Sequence, residues 1–213
     1  MAKFNKKRAM SDNLPDMAAE GLHAMVIPSK PEVNPKENGD LQLPVVINIL
    51  KEIDDPNSLV ARAEVRQWPA LPLDNEEVPD HTYPKYAMGK WQPLCAAIFP
   101  DEVPRRPYRT KHGSSEPFYY QGEEIEKTKF NKFKNEADCA AGEKAEAMFE
   151  NGGFGGMVGV PFWGIIKHQE GSTFVNLFPY PADDPPTDFA TGEAMDVVDP
   201  DECIVKAELS GDE

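Results

Sequence analysis

Twenty-one prolines and 15 glycines are scattered through the 213 residues, and this spacing narrows the possible folds more than any other feature. Proline locks φ and lacks an N–H, so inside a helix it removes a hydrogen bond and clashes with the preceding turn. The chain is therefore expected to build short strands, turns and a few helices, not long regular helices. Forty per cent hydrophobic residues suffices for a core. The length suits one domain with appendages, or at most two small ones. No apolar run reaches the roughly 18 residues of a membrane span, so no membrane association is expected.

Between the prolines, the apolar residues fall in strand-like runs. Residues Gly21 to Ile27 read as a first strand. Pro28 to Asp40 is turn-rich, with the dipeptides Asn34-Pro35 and Asn38-Gly39. Leu41 to Ile53 is the strongest apolar run, rich in β-branched residues, and reads as a long strand with Pro44 at a bulge or edge. Ser58 to Trp68 alternates Leu59, Ala61, Ala63, Val65 and Gln67 with Val60, Arg62, Glu64, Arg66 and Trp68, as suits a hairpin partner with one apolar face. Within Tyr86 to Phe99, the residues Met88, Trp91, Leu94, Cys95 and Ile98 stand at helical spacing and predict a helix packed on the core. Pro93 suggests that this helix starts at Gln92. Asn135 to Glu150 reads as an Ala- and Glu-rich helix. Met157 to His168 and Thr173 to Tyr180 read as two strands joined by a turn containing Gly171.

The expected fold class is mainly β with inserted helices (α+β). Five strands, with helices between the third and fourth, match the element order of an oligonucleotide/oligosaccharide-binding barrel. The domain is expected over residues 21–182, with an insertion at about 100–155, after a flexible basic N-terminus at 1–20. Residues 183–213 carry low hydrophobicity and high charge and predict a disordered acidic tail. The opening Met1 to Arg8 is positive but has no apolar stretch behind it, so it is not a secretory signal. It reads as a solubilising end or a phosphate-contacting arm.

Charge is divided sharply along the chain. The formal net charge is -15, yet Val103 to Lys134 holds eight Lys/Arg against four Glu, with six aromatics among them. From Asp183 to Glu213 there are eleven acids and one base, Lys206. Within the basic segment, Arg105, Arg106, Tyr108, Arg109, Lys111 and His112 form one cluster, followed by Phe118, Tyr119 and Tyr120. Lys127, Lys129, Phe130, Lys132, Phe133 and Lys134 form the other, where lysines alternate with aromatics and short polar groups. In an extended conformation Phe130, Lys132 and Lys134 share a side, while Phe133 points the other way. Rings that stack on bases beside cations that meet phosphates make a sequence-tolerant single-strand site, at roughly 1–3 kcal/mol per stacked base. Arginine suits phosphate because its planar fork binds two oxygens. Arg62, Arg66 and Trp68 share one side of the third expected strand and add a second candidate nucleic-acid-binding face. Lys127 to Lys134 also suit a solvated linker whose phenylalanines cap the core.

The enzymatic templates fail. The glycine-rich Asn151 to Gly156 lacks the Lys-Ser/Thr ending and the strand-to-helix context of a phosphate loop. No Gly-x-Ser-x-Gly elbow occurs. The cysteines Cys95, Cys139 and Cys203 form no Cys-x-x-Cys pair, and the four histidines are scattered, so there is no zinc signature. A sparse, odd set of cysteines points to free thiols in a reducing compartment. Asp183, Asp184 and Asp188 read as solvated charge, not a metal site. No catalysis, metal or cofactor is expected.

The pattern resembles the single-stranded-DNA-binding proteins of tailed bacteriophages, which join such a barrel to an acidic C-terminal tail. The resemblance is carried by the strands Leu22–Ile27 and Leu43–Ile53, by the closing pair Gly156–Ile166 and Thr173–Tyr180, and by the aspartate-rich end Asp183–Glu213. It implies non-sequence-specific binding of single-stranded DNA in phage replication or recombination, in the host cytoplasm. The tail would modulate access to the binding surface or recruit replication and recombination proteins. Such tails often end in an aromatic residue, whereas this one ends in Leu209-Ser-Gly-Asp-Glu213. The competing expectation is a non-enzymatic virion or protein-interaction component, with a metal-dependent nuclease a distant third.

Overall fold

Each of the five apolar runs that read as strands supplies one strand of a single sheet, but Leu41–Ile53 splits around Pro44: Val45–Leu50 joins that sheet, while Leu41–Gln42 pairs with Asn34–Pro35. A computed structural model describes residues 16–37, 40–73, 85–109, 117–120, 122–169, 174–188 and 191–206. Its principal strands are β2 (Gly21–Val26), β5 (Val45–Leu50), β6 (Leu59–Gln67), β10 (Phe162–His168) and β11 (Val175–Pro181). They form an antiparallel sheet in the order β11-β10-β2-β5-β6. The short strands β1 (Asp16–Ala18) and β12 (Ile204–Lys206) pair with each other, as do β3 (Asn34–Pro35) and β4 (Leu41–Gln42). A third small sheet joins β7 (Tyr108–Arg109), β8 (Phe118–Tyr120) and β9 (Glu123–Ile125). Among the described residues there are two α-helices, α1 (Lys85–Ile98) and α2 (Lys127–Glu150), and one 3₁₀ turn, Phe154–Met157. The fold is mixed α+β, mostly strands, and its sheets are open.

Strand alternation sends Met25, Val45, Ile47, Val65, Phe162 and Ile166 to one face of the sheet, where all are buried in a single core. Helix α1 fills that face with Met88, Trp91, Leu94, Cys95 and Ile98, the stripe expected from sequence. The Trp91 indole N–H donates to the Ala141 carbonyl of α2 at 2.7 Å, and its ring meets Phe154 edge-on at 5.6 Å. Gly164 sits where this core is tightest. A Cβ there would lie 2.5 Å from Met25 Sδ and 2.8 Å from Leu177 Cδ1, so no larger residue fits without displacing both.

Four expectations need correction. Helix α1 begins at Lys85, not Gln92, and carries Pro93 inside it. The carbonyl that loses its partner belongs to Gly89, which is exposed to water. Helix α2 starts eight residues before the expected Asn135. Its buried stripe of Ala137, Ala141, Gly142, Ala145 and Met148 consists mostly of small residues, which carry a weak apolar signal. The expected flexible N-terminus does not extend through Met17, Ala18 and Ala19, which are buried; residues 1–15 lie outside the described residues.

The expected disordered tail is ordered over 183–188 and 191–206. Val197 bridges Leu22, and the Val198 N–H donates to the Leu22 carbonyl at 2.9 Å. Cys203 is buried, and its carbonyl accepts the Ala19 N–H at 2.8 Å. Lys206 Nζ meets Asp16 Oδ1 at 2.6 Å. The tail's charges face water while Val198, Cys203 and Ile204 dock on the core, a distinction that composition averages away. Gly21 permits the docking: its φ is +129°, and a Cβ would stand 2.5 Å from Val198 Cγ2. The expected turns at Asn38-Gly39 and Gly171, and the final residues 207–213, lie outside the described residues.

Candidate nucleic-acid interface

Most of the basic-aromatic insertion folds against itself. Because Lys127–Lys134 is helical and not extended, Phe130, Phe133 and Lys134 share one face, at spacings of three and four residues. That face receives the β8–β9 hairpin. Phe118 packs on Phe130 with ring centroids 4.5 Å apart, and Tyr120 stacks on Phe133 at 4.5 Å and 14°. Nearby, the buried Asp138 carboxylate accepts Arg106 Nε at 2.5 Å and Lys134 Nζ at 2.8 Å. Phe118, Tyr120, Phe130, Phe133, Arg106 and Lys134 therefore fasten the hairpin and residues 103–109 to α2. Burial pushes the Tyr120 phenol up, and the Glu136 carboxylate adds to the rise. Lys127, Lys129 and Lys132 stay exposed, with Lys132 3.8 Å from Glu136.

The opposite face of the small sheet is built differently. Alternation turns Tyr119 away from Phe118 and Tyr120, and its cross-strand partner is Tyr108. Their rings stack 5.9 Å apart at 23°. Beside them the Arg105 guanidinium lies over the Tyr180 ring, 4.0 Å from its centroid, and reaches Asp184 Oδ2 at 3.8 Å. Tyr180 belongs to β11 and pairs across the hairpin with Trp163 of β10, whose indole N–H donates to the Ala182 carbonyl at 3.0 Å. Burial pushes the Tyr108 phenol up and Arg105 opposes the shift, while Tyr180, Tyr119 and Asp184 add to it. One arginine and four aromatic residues thus meet at the surface where the insertion joins the main sheet. The acidic segment reaches this place through Asp184, the partner of Arg105.

The β6 candidates lie at the other edge of the sheet. Arg66 is exposed and 3.5 Å from Glu64. Arg62, also exposed, has φ +68° beside a register shift in the β5–β6 ladder. Trp68 is half-buried and meets Phe174 edge-on at 6.0 Å. The Arg109 side chain, Lys111 and His112 lie outside the described residues.

Three residues of this surface escaped the sequence reading: Phe174, Phe178 and Tyr180. The signal was present, since Phe174, Asn176, Phe178 and Tyr180 alternate along one strand. It was hidden by their resemblance to ordinary core aromatics. Among the described residues no helix is long and apolar enough to cross a membrane, and no three His, Cys, Asp or Glu side chains converge as a metal site. Neither a protein-family model nor a curated protein matches the sequence.

Proposed function

We propose that the protein binds single-stranded DNA without sequence preference, by neutralising phosphates and stacking bases. The observation that carries this reading is the Arg105–Tyr180 pair, 4.0 Å apart, beside the stacked Tyr108 and Tyr119. A guanidinium held against an aromatic face offers a phosphate contact and a stacking platform side by side. The sheet supports the same reading. Its order becomes that of an oligonucleotide/oligosaccharide-binding barrel if β6 and β11 close on each other. Those edges meet through Gln67 Nε2, which donates to the Val175 carbonyl at 3.3 Å, and through the contact of Trp68 with Phe174. The role we assign is the handling of single strands during phage DNA replication or recombination in the host cytoplasm, with no catalytic step.

Anisotropy of a fluorescent oligothymidylate, titrated at two or more salt concentrations, tests this. Affinity should fall steeply with salt, and Arg105→Ala should reduce the slope of log K against log salt by about 0.7, the share of one single-strand phosphate. No binding at low salt would remove the reading.

A further inference from the structure

We propose that the strand follows a track along the outer face of β11, which joins the Arg105 cluster at one end to the Trp68 cluster at the other. This inference rests on the single-strand reading above and assigns the site a path and a footprint. Phe174, just before β11, and Asn176, Phe178 and Tyr180 within it point to the same side, away from the core that receives Leu177 and Pro179. Phe174 is 58% exposed and Phe178 46%, an unusual placement for two phenylalanines on one strand face. Burying a side chain of this size stabilises a fold, and this face forgoes much of that gain. Single exposed apolar residues are ordinary, whereas a contiguous row marks an interaction surface.

The charges around the row select its occupant. Arg105 stands over Tyr180 at one end. Lys167 is exposed on β10 opposite Asn176, between the two phenylalanines. Arg66 lies two residues before Trp68, which meets Phe174 at the other end. Asp184 and Glu64 each lie against one of these arginines, and the Glu20 carboxylate accepts the His168 N–H at 2.6 Å beside Lys167. Cations spaced along a row of partly exposed rings, on a chain of net charge -15, match a polyanion that carries flat apolar faces. A single strand has both, whereas a duplex hides the faces of its bases in its own stack. From Phe174 to Tyr180 the strand rises about 20 Å at roughly 3.3 Å per residue. Splayed nucleotides span about twice the ~3.4 Å stacked rise, so the row takes about three bases.

Phe174→Ala and Phe178→Ala, measured separately on an oligothymidylate of about 12 nucleotides, test the track. Each should weaken binding roughly 5- to 150-fold, the range for one lost stacking platform, and leave the salt slope unchanged. Photocrosslinking the wild type to a 5-iododeoxyuridine oligonucleotide should label the segment 174–180, a readout independent of how the variants fold. If the wild type binds and Arg105→Ala weakens it, but both phenylalanine variants bind normally and crosslinks fall elsewhere, the track is wrong and the function stands. If the wild type does not bind, the functional reading fails first. If the variants abolish self-association in sedimentation and leave DNA affinity intact, the row is a contact between copies of this chain, and the track is overturned.

Discussion

Replacing Asp138 by alanine should be among the most damaging single changes to the basic insertion. The carboxylate is 6% exposed and accepts both Arg106 and Lys134, at 2.5 and 2.8 Å. Without it, a guanidinium and an ammonium face each other with no counter-charge between them. Breaking a fully buried ion pair from one side costs about 3–5 kcal/mol. Here the Arg106 and Lys134 side chains keep 23% and 29% exposure, so water reaches both and reduces the cost to about 2–3 kcal/mol. For a chain of this size, each kcal/mol moves Tm by about 2–4 °C, so a fall of about 5–10 °C is expected by calorimetry. Asp138→Asn, which keeps the shape and one acceptor, should fall between alanine and wild type. Lys134→Met should cost less than Asp138→Ala, because Arg106 keeps its partner. A loss below about 0.5 kcal/mol in Asp138→Ala, the scale of an ordinary surface change, would refute the claim that this carboxylate fastens the insertion.

Two further outcomes follow from the way the chain's ends and His23 are held. Deleting residues 191–213 removes Val198, Cys203 and strand β12 from the edge of the core, and should lower Tm by about 5 °C or more; an unchanged Tm would restore the idea of a purely solvated tail. His23 is 1% exposed; its Nε2–H donates to the Ala19 carbonyl at 2.8 Å, and Nδ1 has no partner among the described residues. Burial holds its pKa below the usual 6.5, against the opposing pull of the Ala19 hydrogen bond. The unfolded chain then binds the proton more readily, so this contribution to stability is complete above pH 6.5 and is lost as pH falls through the lower folded value. His23→Gln should flatten the stability profile below pH 6.5 in urea titrations, and superimposable pH slopes for variant and wild type would exclude the effect.

The sequence by itself determined the elements. The apolar runs Gly21–Ile27 and Leu41–Ile53, the alternation in Ser58–Trp68, and the two runs after Gly156 located all five strands of the main sheet to within a few residues. The alternating segments are legible because they bury one face and the pleat imposes a period of two, whereas β2 is buried on both faces and reads as a continuous apolar run. The stripe from Met88 to Ile98 was legible for the matching reason at a period of 3.6. Helix α2 was half legible. No proline falls between Pro117 and Pro161, which left room for it, but its buried alanines and glycine are too small to advertise a face.

Only the tertiary structure decided which residues of the candidate site remain available. Lysine, arginine and phenylalanine in an insertion look alike in sequence whether they meet DNA or one another. The fold commits Arg106, Lys134, Phe130 and Phe133 to internal contacts and leaves Arg105 against Tyr180. It also exposes Phe174 and Phe178, whose residue type alone would assign them to a core. The physical reason is that burial is a relation between distant segments. A residue's chemistry and its local period are written in the chain, but the neighbour that covers it, or fails to, is supplied by the packing of the other elements.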